Sequence, residues 1–107
     1  MRIKGFLLYV SFLWVEAMAV FPFILLKRKC PGPVLLNHEC IHLRQQLEMG
    51  LILFYVWYFA EYLIRLVQYK VHYLAYMHIS FEQEAYQNEK NPAYLSNRRL
   101  WAFLNYV

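Results

Sequence analysis

Between Pro33 and Pro92 the chain contains no proline, and its one glycine there is Gly50. Proline and glycine are the residues that most strongly interrupt a helix, so little in this long stretch breaks one. A helix is expected to begin near Val34, directly after the hard break Cys30-Pro31-Gly32-Pro33. It is expected to run as one element over 33–68, because a glycine at position 50 costs about 1 kcal/mol without by itself ending a helix. Residues 51–64, Leu-Ile-Leu-Phe-Tyr-Val-Trp-Tyr-Phe-Ala-Glu-Tyr-Leu-Ile, are apolar on almost every face. Such a helix is buried, or it lies in or across a membrane. Arg65, four residues after Glu61, is placed to pair with it. Ser80 is placed to cap a further helix over 81–89, and Pro92 is placed to start a last one.

Upstream of the break, residues 5–26 are nearly all apolar. Their length suits a membrane span, but Glu16 is expensive in lipid and Pro22 breaks the hydrogen-bond ladder. Basic residues flank both ends, and no small-residue cleavage site follows as in a signal peptide. The favoured reading divides the segment into a helix over about 5–18 and a short strand at 20–29. The expectation is one domain, 1–107, mainly α with a short β segment: an N-terminal apolar part at 1–29, the long helix at 33–68, and two helices in 78–107.

The surface of such a chain is constrained by its composition. The 107 residues are 61% hydrophobic and 17% charged, whereas soluble domains average about 25% charged. The apolar surface is therefore expected to meet a membrane or a second copy of the chain. The net charge of +4 comes with clusters at Arg2/Lys4, Lys27-Arg28-Lys29 and Arg98-Arg99. Basic residues beside apolar segments fit anionic lipid, and no nucleic-acid motif accompanies them. The expected location is a membrane, at the cytoplasmic face or in an inner membrane. Cys30 and Cys40 are no disulfide framework and read as reduced thiols.

The chemistry sits early in the long helix, at His38-Glu39-Cys40-Ile41-His42. Positions four apart on a helix are separated by about 400°, so His38 and His42 share a face and can reach one Zn²⁺. Glu39 is rotated by about 100° from His38, so it flanks the metal and can act as general base on a zinc-bound water. Cys40, about 200° round, points away from the metal. A catalytic zinc needs a third protein ligand. A glycine at 45 and a histidine at 48 would supply one in the metzincin manner, but the chain has Gln45 and Glu48. The candidates are Glu82 or Glu84, arriving from a second helix; His78, four before Glu82, is a further one. Gln45 and Gln46 can hydrogen-bond around the site, and Tyr86, one turn after Glu82, can donate to an oxyanion.

His38-Glu39-x-x-His42 followed by Phe81-Glu82-Gln83-Glu84-Ala85 resembles the gluzincin zinc metallopeptidases. The nearest flavour is the group holding the minigluzincins, the CAAX-type and HtpX-type membrane peptidases and the BlaR-type sensor peptidases. The resemblance covers about 35–50 and 78–89. It implies a minimal zincin-like fold in which the active-site helix packs against a glutamate-bearing helix. It also implies that Glu82 is the third ligand, with Ala85 matching and Tyr86 standing where an aspartate often follows. In such folds an apolar strand before the active-site helix, here 21–29, can hold an extended peptide by strand addition. The function implied is hydrolysis of peptide or protein substrates by a zinc-bound water activated by Glu39. The competing reading is a non-catalytic, membrane-associated helical protein with a structural metal or none. A di-iron bundle needs two E-x-x-H motifs, and only Glu39-Cys-Ile-His42 has that spacing.

Overall fold

The computed structural model describes residues 6–13, 15–27 and 32–107. The chain is mainly helical with one small sheet, as expected. Three four-residue strands come first: β1 (Phe6–Tyr9), β2 (Ala17–Val20) and β3 (Phe23–Leu26). The sheet order is β1-β3-β2, with β1 parallel and β2 antiparallel to β3. A turn containing a cis Phe21–Pro22 peptide joins β2 to β3. The expected helix over 5–18 is therefore replaced by β1, a bend and β2, and the same strands overturn a helical span at 5–26. A short apolar run such as Phe6-Leu7-Leu8-Tyr9 is ambiguous between helix and strand. Pairing with β3, extended by Phe6 N–H to the Pro22 carbonyl and Val10 N–H to the Leu26 carbonyl, decides it. Cys30 and the basic residues Arg2, Lys4, Arg28 and Lys29 lie outside the described residues.

Helix α1 (Pro33–Met49) starts at Gly32, with Pro33 at the position where its fixed φ and missing N–H suit a helix best. It ends at Gly50, whose φ of 81° and ψ of 150° belong to a region open to glycine almost alone. The single helix expected over 33–68 is thus two, α1 and α2 (Leu51–Tyr69), and the break turns α2 back over the site. Lys70, in the left-handed conformation, closes α2. Then follow α3 (His72–Met77), α4 (Ser80–Asn88) and α5 (Tyr94–Asn97). The chain closes with a 3-10 helix at Ala102–Tyr106, so the last expected helix is two short pieces.

Helix α1 is central, packed against β2, α4 and α2. On the sheet side Leu43 packs with Ala19, Ile24 and Leu26; on the α4 side Ile41 packs with Ala85 and Leu95. Below the His38/His42 face of α1, Phe54 of α2, Phe81 of α4 and Phe103 form an aromatic floor with Met49 and Ile79. The Cys40 side chain is partly buried between the first two clusters.

The outer face of α2 is inverted relative to a soluble surface helix. Ile52, Leu53, Val56, Phe59, Leu63, Ile64 and Val67 are all exposed, Ile52 at 83% and Val67 at 77%. These residues span an arc of about 140° at 100° per residue, while Glu61 and the hydroxyls of Tyr55 and Tyr58 bond inward to the protein. The helix is long and apolar enough to cross a membrane, and only 11% of its apolar window is buried in the protein.

Candidate metal centre

The face of α1 that should be greasy is polar. His38, Glu39, His42, Gln45 and Gln46 are all buried, and burying so many polar groups costs stability unless each is partnered. Each has a defined partner. The Nδ1 of His38 faces Glu89 Oε1 at 2.7 Å, and the Nδ1 of His42 faces Gln45 Oε1 at 2.8 Å. The Gln45 amide cannot be turned round, because its Nε2 lies between two acceptors, the Phe81 carbonyl at 3.2 Å and Glu84 Oε1 at 3.0 Å. Its oxygen therefore faces His42, and both imidazoles carry a hydrogen on Nδ1.

The two Nε2 atoms consequently turn inward, 3.2 Å apart, and Glu82 Oε1 is 3.1 Å from each. In the neutral imidazoles these are three lone-pair atoms aimed at one point in a buried site. Only a cation relieves that arrangement, either a proton or a metal ion. The three ligand atoms lie within 4.8 Å of one another, and all three residues are buried. His38, His42 and Glu82 together could hold a metal ion.

Glu82 is placed by α2 as well as by α4. At the start of α4 the Ser80 N–H and hydroxyl both donate to the Glu61 carboxylate, the amide at 2.8 Å. Glu61, not the Ser80 side chain, satisfies this helix terminus, and its charge suits the positive end of the helix. Its other partner is the Trp57 indole, while Arg65 bonds Gln68, so the expected Glu61–Arg65 pair does not form. The Tyr58 hydroxyl donates to Glu82 Oε2 at 2.6 Å, and Tyr76 approaches Oε1 at 3.3 Å.

Glu39 lies outside the ligand triad but feels it. Its carboxyl is raised above the ordinary 4.5, chiefly by burial and further by Glu82, against the two imidazoles and the Ala19 N–H that bonds it. On His42 burial opposes charge, but the Glu82 carboxylate and Glu39 outweigh it and lift the imidazole from 6.5 to about 9. Burial likewise opposes charge on Glu82, yet His42, the hydrogen bonds from both histidines and the Tyr58 hydroxyl hold its carboxyl well below the usual range.

Ala19 borders Glu39 because of the sheet's pairing. Lys27 N–H bonds the Glu16 carbonyl, so in the alternating antiparallel pattern Ala19 opposite Ile24 is a non-hydrogen-bonded pair. Its amide groups point off the sheet: the N–H to Glu39, the carbonyl to Gln46 Nε2 at 2.8 Å and Tyr55 at 2.7 Å. Strand β2 is therefore the edge that faces the site. Segment 21–29, expected to take a peptide along its edge, contains β3, which is paired on both sides and has no edge to offer.

The remaining candidates resolve clearly. Glu84 points away from the triad, into a buried cluster with Arg98, Tyr94 and Gln45. His78 bonds the Leu74 carbonyl and stacks on Tyr69, with their ring centres 4.2 Å apart. Tyr86 packs edge-on to His38 at 4.4 Å and shares a 2.9 Å hydrogen bond with Tyr76. Sequence reasoning missed Tyr58, Tyr76, Glu61 and Glu89. Only Glu61, an acid in an otherwise apolar helix, left a visible trace. No family profile, no curated protein and no solved structure matches the chain.

Proposed function

We propose that this protein is a zinc-dependent metallopeptidase of gluzincin type that works at a membrane. The observation that supports it most is the convergence of His38 Nε2, His42 Nε2 and Glu82 Oε1 on one buried point, with their other atoms committed to hydrogen bonds. Two histidines and a glutamate are a donor set of catalytic zinc, which keeps a further position open. A structural zinc takes four protein ligands, and the described residues supply three. Bound there, zinc would acidify water and polarise a peptide carbonyl.

The chain's own groups supply the rest. Glu39, raised by burial and positioned by the Ala19 amide, takes the proton of the attacking water and returns it to the leaving amine. Tyr86, half-exposed beside His38 and hydrogen-bonded to Tyr76, would offer a hydroxyl to the developing oxyanion. The apolar outer face of α2 would rest in lipid. Its arc is broader than a coiled-coil seam and carries no flanking charges of the kind such seams use.

The test is turnover of a quenched-fluorescence peptide library by zinc-loaded protein in mild detergent. Glu39→Gln should keep the zinc and lose about 10²- to 10⁴-fold in rate, the usual worth of a general base. Zinc-loaded wild type that cleaves nothing, or Glu39→Gln that cleaves as fast as wild type, would overturn the reading.

A further inference from the structure

A chain of buried side chains runs from the C-terminal segment to the back of His42. Arg98, with a side chain 0% exposed, grips the Glu84 carboxylate through Nε and Nη2 and reaches Glu48 Oε2 with Nη1 at 2.7 Å. The Tyr94 hydroxyl also donates to Glu84 Oε2, at 2.6 Å. Glu84 has no freedom left, and its Oε1 accepts from Gln45 Nε2. Gln45, also held by the Phe81 carbonyl, then presents its oxygen to His42 Nδ1. We propose that Gln45, oriented by Glu84 and Arg98, is a positioning residue that fixes His42 for metal through Nε2, so that the segment Tyr94–Arg98 sets the metal affinity. This rests on the metal reading of His38, His42 and Glu82.

The direction of every bond supports the relay. Arg98 and Tyr94 only donate to Glu84, and the Glu84 carboxylate only accepts. Gln45 therefore offers its amide nitrogen to Glu84 and its oxygen to His42. An acceptor at Nδ1 keeps the hydrogen there, leaves the lone pair on Nε2 and makes that nitrogen a better ligand. His38 has its own acceptor in Glu89, so the relay acts on one ligand alone. Gln45, Glu84, Tyr94 and Arg98 bond to His42, Phe81, Glu48 and one another, and to neither Glu39 nor β2. A loss through the relay should therefore appear in metal affinity before it appears in substrate recognition.

The experiment is a zinc titration against a competing chelator, with circular dichroism to check the fold. Wild type should bind zinc. Gln45→Met, similar in length but without an acceptor, should bind about 10- to 100-fold more weakly, the usual effect of losing such a partner. Tyr94→Phe, which removes one of the donors that hold Glu84, should weaken binding in the same direction by a smaller factor. Wild type that binds no zinc defeats the metal reading itself. Wild type that binds while Gln45→Met binds equally well overturns the relay alone. One measurement needs no variant: in zinc-loaded wild type, long-range ¹H–¹⁵N spectra should show a protonated Nδ1 and a metal-bound Nε2 on His42. Metal on Nδ1 overturns the proposal.

Discussion

Replacing Arg98 by Met should be among the most destabilising single changes in the chain. Arg98 supplies charge to two buried carboxylates, Glu84 and Glu48, whose side chains are 0% and 3% exposed. Glu48 Oε1 already has no hydrogen-bond partner, and Arg44 stands 4.0 Å from the other oxygen. Without the guanidinium, Glu84 keeps only the neutral donors Tyr94 and Gln45. Removing one partner of a buried ion pair costs about 3–5 kcal/mol, because a charge is left uncompensated. At about 4–8 °C per kcal/mol for a domain of this size, Tm should fall by at least about 12 °C. Thermal unfolding followed by circular dichroism in mild detergent measures it. Arg98→Met combined with Glu84→Gln should regain part of the loss, since the largest stranded charge is gone. A fall in the single variant equivalent to less than about 1 kcal/mol, the worth of a surface pair, would refute the reasoning.

Three further outcomes are expected. Gly50→Ala should lower stability by about 1–3 kcal/mol through backbone strain alone, as φ is 81° and an added Cβ meets nothing within 4 Å; an unchanged Tm would mean α1 and α2 are not held apart there. In chelator-treated protein, the His42 contribution is complete below 6.5 and lost as pH rises through about 9. The Glu82 contribution is complete above 4.5 and lost as pH falls. Tm against pH should therefore peak between 4.5 and 6.5, and a Tm still rising from pH 6.5 to 9 would contradict the ion pair. Phe59→Glu, at a site 60% exposed, should leave the helical signal unchanged but move protein from the membrane pellet to the supernatant; equal partitioning would argue against lipid at α2.

How legible all this was depended on the range of the interaction. His38 and His42 share a face by helical geometry alone, so four residues of sequence sufficed. Glu82 was reachable because a second helix at a plausible return distance carried a matching stretch. The distinction between Glu82 and Glu84 was not visible in spacing: they diverge because Arg98 and Tyr94, from the far end of the chain, claim Glu84. The sheet was missed for a related reason. Phe6–Tyr9 is a strand because it meets β3 seventeen residues later, and nothing inside those four residues says so. Gly50 was seen but underweighted, since a helical glycine and a glycine at φ 81° look alike until the packing of α2 over the site decides between them. Glu61 read as a partner for Arg65, whereas the buried N–H and hydroxyl of Ser80 at the start of α4 claim it and Arg65 bonds Gln68.

The central claim is that His38, His42 and Glu82 form one metal site, and metal content tests it most directly. Purified wild type should carry about one zinc per chain, with most of it lost in both His42→Ala and Glu82→Ala, since a catalytic site depends on all three protein ligands. A Glu82→Ala protein that retains its full complement of zinc, or a folded wild type that takes up none, would contradict the account.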